Sequence, residues 1–128
     1  MIGAGACREG RANLCSNVFF MGSASRFPHM QGGFSEYVVV DEGQCYPVSQ
    51  SLPFSTAAFA EPLAVSLHAV VRAGSVLGKS VLITGGGPIG QLVLIAARHA
   101  GAGRITMADI LEGPLALARR LGAEARLM

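Results

Sequence analysis

Gly85, Gly87 and Gly90 stand in the spacing G-x-G-x-x-G, and an acidic residue, Asp109, follows 24 positions after the first of them. Each glycine answers a separate physical demand. The first permits a tight turn, the second lets the backbone approach a pyrophosphate, and the third lets a helix lie close on a strand. Pro88 and Ile89 fill the spacer and open the helix. Phosphate oxygens would then rest on N–H groups that have no partner within the helix, where the helix dipole favours negative charge. Asp109 is placed to accept hydrogen bonds from the ribose hydroxyls, which disfavours a 2′-phosphate and so favours NAD over NADP. The pattern alone is weak in a chain with seventeen glycines. Its alternative is a glycine turn in an unrelated α/β domain, with Asp109 capping a loop.

Three other side-chain types could carry chemistry. Glu61 precedes Pro62, and at a helix start its carboxylate complements the dipole. Cys7 and Cys15 are two thiols in a glycine-rich run, and Cys45 reads as a buried, inert thiol. His99 falls near the end of a helix, where a cation suits the dipole; His68 lies within a helix and His29 in a loop. No Ser/His/Asp or Cys/His pattern for nucleophilic catalysis stands out.

The elements that must hold the glycine turn are legible around it. Ser80 to Thr84 (SVLIT) is an unbroken apolar run, the pattern of a parallel strand covered on both faces. Beyond the turn, Ile89, Leu92, Val93, Ala96, Ala97 and Ala100 recur on one helical face until Gly101 stops it. Arg104 to Ala108 predicts a second strand ending at Asp109, Pro114 to Leu121 a second helix ending at Gly122, and Ala125 to Met128 the opening of a third strand. The alternation implies a parallel sheet with right-handed crossovers. Upstream, Ser55 to Gly74 reads as helical, with Ser55 as a cap, Pro62 opening a second segment, and Leu63, Leu67, Val70 and Val71 on one face. Phe34 to Val40 (FSEYVVV) predicts a strand ending in the turn Asp41-Glu42-Gly43, and Cys45 to Val48 a second short strand. From Met1 to Gly33 no period is sustained, and the run reads as loop.

Composition bounds the answer. With 128 residues and 13.2 kDa, the chain is one small domain or pieces of two, at roughly 100 to 200 residues per domain. Half of it, 51%, is hydrophobic and 14% charged, which excludes intrinsic disorder. Ten basic residues against eight acidic ones are scattered, so no nucleic-acid footprint is expected. The apolar region from Pro88 to Ala100 is shorter than the roughly 20 residues a bilayer span needs, and no membrane partner is expected. Nothing at the start reads as a secretory signal, and three cysteines cannot all pair, so a reducing cytoplasm is the expected compartment.

Four blocks together carry a family resemblance: Cys7 to Cys15 (CREGRANLC), Gly32 to Val40 (GGFSEYVVV), Ala60 to Val65 (AEPLAV) and Gly85 to Gly90 (GGGPIG). In this order they resemble the zinc-dependent medium-chain alcohol dehydrogenases, and within them the polyol branch of sorbitol and L-idonate 5-dehydrogenases. Phe20 to Ala24 with Arg26 to His29 is similar to the idonate members. The resemblance implies an α/β fold: a partial Rossmann-type parallel sheet over residues 55–128, preceded over 1–54 by a loop-rich, short-strand remnant of a GroES-like catalytic domain. It also implies a central piece of a longer enzyme.

The implied activity is oxidation of a secondary alcohol of a polyol or sugar acid to a ketone, by zinc-assisted hydride transfer to NAD. The partners implied are that small-molecule substrate and, in the family, further copies of the subunit. The resemblance gives Glu61 a role toward the catalytic zinc. It matches Cys7 and Cys15 to the last two cysteines of the structural-zinc pattern C-x2-C-x2-C-x7-C, with Met1 and Ala4 where the first two belong. Two thiolates leave a closed tetrahedral site half satisfied. The chain alone is therefore expected to be inactive, with a non-catalytic dinucleotide-binding module or an inert piece as the alternatives.

Overall fold

The computed structural model describes residues 5–128, in two compact units that divide after Pro47. Met1 and Ala4, named above for the zinc pattern, lie outside the described residues.

The first unit is built of turns. A single helical turn, α1 (Gly5–Arg8), and a 3-10 turn at Ala12–Leu14 stand on either side of Gly10. A second 3-10 turn, Glu42–Gln44, is capped by Asp41, whose Oδ1 accepts the Gly43 N–H at 2.9 Å. The strands expected at Phe34–Val40 and Cys45–Val48 do not form. Strand residues need a neighbour for their N–H and C=O groups, and here the bonds are local ones: Ser35 N–H donates to Gly33 O and Ser35 Oγ to Tyr37 O. Without a sheet to bury it, the β-rich pattern leaves Phe34, Tyr37 and Val39 exposed. Cys45 is exposed as well, not buried as expected.

The second unit begins with α2 (Phe54–Ala57) and α3 (Ala60–Ala73). The cap of α2 is Pro53 and not Ser55: Ala57 N–H donates to Pro53 O at 2.9 Å. Pro62 is the third residue of α3, still in the first turn where a missing N–H costs nothing. By length and composition the run Phe54–Ala73, with mean hydropathy 1.3, is long enough to cross a bilayer, a run that the emphasis on Pro88 to Ala100 passed over. It breaks between Ala57 and Ala60 and packs α3 on the helix that follows the glycine turn. The packed face is rotated from the expected one. Ser66 is fully buried and Leu63 and Val70 half-buried, while Leu67 and Val71 are exposed.

The sheet follows: β1 (Ser80–Thr84), α4 (Pro88–His99), β2 (Arg104–Asp109), α5 (Glu112–Arg120) and β3 (Glu124–Leu127). All three strands are parallel in the order β1-β2-β3, with Val81 opposite Ile105, Ile83 opposite Met107, and Met107 opposite Ala125. Those residues share one face, and α4 and α5 cover it. Ile83, Leu94, Ala97, Ile105, Met107, Leu115, Ala118 and Ala123 make the core. The other face of β1 is open, with Leu82 66% exposed, so β1 is not covered on both faces. On α4 the buried side chains are Gln91, Leu94, Ala96 and Ala97, and Ile89 and Ala100 of the expected stripe are exposed. Gly101, at φ +86°, takes the left-handed conformation that ends the helix. The Arg98 guanidinium donates to Leu121 O and ties the end of α4 to the end of α5.

Leu94 is fully buried. Leu94→Ala is expected to cost about 2–5 kcal/mol in urea unfolding. Leu82→Ala, on the open face of β1, should change stability by only about 0.5 kcal/mol. Equal losses at the two positions would contradict the placement of the core.

Candidate functional site

β1 delivers the chain into the glycine turn, and the turn is stitched to the neighbouring strand: Gly85, at φ +88°, donates its N–H to Ala108 O at 2.8 Å. A Cβ on Gly90 would lie 1.9 Å from the Gly85 carbonyl oxygen. That atom is backbone and cannot swing aside, so the first turn of α4 reaches the end of β1 only because residue 90 is glycine. At Gly87 the situation is opposite: nothing lies within 4 Å of where a Cβ would be. Gly87 is also the N-cap of α4, Pro88 is its first residue, and no capping side chain and no acidic residue occupy its first turn. The positive end of a twelve-residue helix is therefore left open beside an unobstructed backbone.

Asp109 closes the other side. Its Oδ2 accepts the Gly86 N–H at 2.5 Å and its Oδ1 the Leu111 N–H at 2.8 Å. These bonds, Gly86 first, then Leu111 and Ile110, hold its carboxyl below the ordinary value of 3.8 against the opposing effect of desolvation. An ionised carboxylate has about four acceptor positions, so both oxygens keep lone pairs for further donors.

Two residues of the turn escaped the motif. Gly86 sits at its unspecified position, yet a Cβ there would meet Pro114 Cβ at 2.8 Å and Met107 Sδ and Asp109 Oδ2 at 3.2 Å each. Gln91 reads in the sequence as an interruption of an apolar stripe. In the structure it is 7% exposed, and its Nε2 donates to Gly86 O at 2.9 Å and to Pro114 O at 2.8 Å. The only sequence signal is a lone polar residue amid the buried positions of α4.

A pyrophosphate fits this cradle, because the space that a side chain at Gly87 would fill is open and the helix end is uncapped. Zinc does not fit the described residues. Cys7 and Cys15 are half-buried; the neighbouring Cys15 pushes the Cys7 thiol up, and the Asn17 N–H on the Cys15 sulfur draws Cys15 down. Two thiols are half a closed set. Glu61 is exposed in the first turn of α3, and no three His, Cys, Asp or Glu side chains converge for a metal among the described residues.

No protein-family model matches the chain. Curated relatives do. Over 118 residues, 92% of the chain, it is 43% identical to L-idonate 5-dehydrogenase (NAD(P)(+)) of Escherichia coli, covering 34% of that protein. It is 36% identical to the sorbitol dehydrogenase of Gallus gallus, over 92% of the chain and 32% of that protein. The crystal structure of the Escherichia coli L-idonate 5-dehydrogenase superposes with a TM-score of 0.91 at 42% identity, over 95% of this chain and 35% of that one. These relatives are polyol and sugar-acid dehydrogenases, and the chain is similar to them along nearly the whole of its own length. It spans about a third of the length of the curated relatives it matches.

The two outer glycines of the spacer predict opposite phenotypes. Gly90→Ala is expected to destabilise the second unit by about 3 kcal/mol, since the overlap is with backbone. Gly87→Ala should leave the melting curve unchanged, because its Cβ meets open space. The same rank order in reverse would refute the packing described here. For Asp109, a carboxyl whose folded value is depressed contributes stability above the ordinary 3.8 and loses it as pH falls through the lower folded value. Acid unfolding of the wild type and of Asp109→Asn should therefore converge at low pH and diverge above it, and parallel curves would exclude the two backbone bonds.

Proposed function

We propose that the chain binds NAD on the Gly85–Gly90 turn, as the cofactor-holding part of an enzyme that oxidises a secondary alcohol of a polyol or sugar acid to a ketone. The observation that carries this reading is the open Gly87 backbone at the uncapped start of α4, one hydrogen bond away from the ionised Asp109. Bound NAD supplies the hydride acceptor. The chain's own residues supply position: Gly85 turns the backbone, Gly87, Pro88 and Ile89 present the helix start to the pyrophosphate, and Gly90 keeps that start close to β1. Asp109 offers its free lone pairs to the adenosine ribose hydroxyls. Its charge opposes a 2′-phosphate, so NAD is preferred to NADP.

The similarity to these dehydrogenases supports a substrate of the L-idonate or sorbitol type, and a cytoplasmic setting suits three free cysteines. In a full-length member Glu61 would face the catalytic metal. The chain by itself we assign to binding without turnover, because no metal-holding group of three is formed among the described residues. That same observation favours a second reading, a non-catalytic dinucleotide-binding module.

Calorimetric titration with NADH and NADPH, paired with an assay of NAD reduction on L-idonate and sorbitol, tests both parts. Saturable NADH binding, at least about tenfold tighter than NADPH, with no reduction of NAD, is the expected result. Absence of NADH binding by the folded chain would remove the proposal, and measurable turnover would remove the assignment to binding alone.

A further inference from the structure

Gln91 is a buried polar side chain of the second unit that donates to the carbonyl of Gly86, inside the glycine turn itself. Its Nε2 has two N–H groups, and both are used, one on Gly86 O and one on Pro114 O. Its Oε1 is buried with no partner. The amide is thus oriented entirely by what it donates, and a turn carbonyl is one of its two oxygen acceptors.

The consequence follows from peptide geometry. The bond between Gly86 and Gly87 is planar and trans, so the Gly86 C=O and the Gly87 N–H point in opposite directions. Gln91, whose buried Nε2 also lies 3.5 Å from Met107 Sδ, draws that carbonyl toward the interior. The Gly87 N–H is thereby turned away from the interior, to the side where a Cβ of Gly87 would find open space. It donates to no acceptor among the described residues. A glycine pair would otherwise let this peptide flip, since neither residue has a side chain to resist rotation.

We infer that Gln91 is a positioning residue for the cofactor site: by holding the Gly86 carbonyl inward it aims the Gly87 N–H at the pyrophosphate. The inference rests on the reading of the turn as the NAD site. It assigns Gln91 no contact with the cofactor. The Asp109 carboxylate holds the N–H on the other side of Gly86, so the residue is fixed at both its peptide groups.

The test uses the full chain and Gln91→Met, which keeps length and volume and removes the donors. With the variant folded, NADH and ADP should bind about tenfold more weakly, the scale of one well-placed hydrogen bond, while adenosine, which has no phosphate, binds as in the wild type. Equal loss for adenosine would mean general loosening and would overturn the inference, as would unchanged affinity for all three. No binding of NADH by the wild type would instead remove the NAD reading on which this rests. Should Gln91→Met fail to fold, the wild-type side-chain amide resonances of Gln91 decide. They should be slow to exchange and shift with NADH and ADP but not with adenosine, and indifference to all three overturns the inference.

Discussion

Gly86 is gripped from both sides, its N–H by a carboxylate at the end of β2 and its C=O by an amide from α4. Most of the second unit serves that grip. Thr84 pairs with Ala108, and Gly85 N–H with Ala108 O, so the register of β1 on β2 sets Asp109 beside the turn. A slip of one residue would send Asp109 to the other face of the sheet. Pro114 of α5 supplies the second carbonyl for Gln91 and closes over Gly86, where its Cβ leaves no room for a side chain. Met107, fully buried, forms the floor. Three elements therefore converge on one peptide, and the core beneath them gives that peptide a single orientation before any ligand arrives.

The electrostatics of the turn follow from the same convergence. A carboxylate close to the seat of a pyrophosphate would ordinarily repel it. Asp109 turns one oxygen to the Gly86 N–H and the other to the Leu111 N–H, so part of its charge is already met by fixed donors. The N–H groups at the start of α4 remain unopposed, since no acidic side chain lies in that first turn. An anion at the helix start and hydroxyl donors at Asp109 are thus served by separate groups a few residues apart, which suits a ligand that is anionic at one point and a polyol at the next.

What the sequence made legible was the part governed by local rules. β1, α4, β2, α5 and β3 fall where apolar periodicity and the stops at Gly101 and Gly122 put them, because each helix needs only its own pattern and a left-handed residue at its end, and the three strands have one another to pair with. The FSEYVVV run failed for the complementary reason. Its residues suit a strand, but a strand exists only against another, and no partner strand occurs among the described residues of the first unit. The face of α4 was rotated because a helix beside both a sheet and another helix buries two stripes, and that of α3 because it packs on α4, where a small residue such as Ser66 marks the buried line better than the large apolar ones do. Gln91 was invisible for a further reason. One of its oxygen acceptors lies 5 residues away and the other 23, and the second is brought in by a crossover that no spacing rule encodes.

Stability alone does not explain a glutamine at position 91. Its Oε1 is orphaned, which costs about 1–3 kcal/mol. An apolar side chain of the same shape would remove that cost. It would also strip the Gly86 carbonyl of its donor at a penalty of the same size, whereas Pro114 O, inside α5, still faces the N–H four residues on. One orphan is exchanged for another and the balance is close to zero. The two cases differ in direction. With the amide present the Gly86–Gly87 peptide has one resting orientation; with an apolar residue it has a choice, and the N–H that meets the ligand is no longer fixed. A substitution nearly neutral for folding can therefore be costly for binding, which places the reason for Gln91 in the aim of a single peptide.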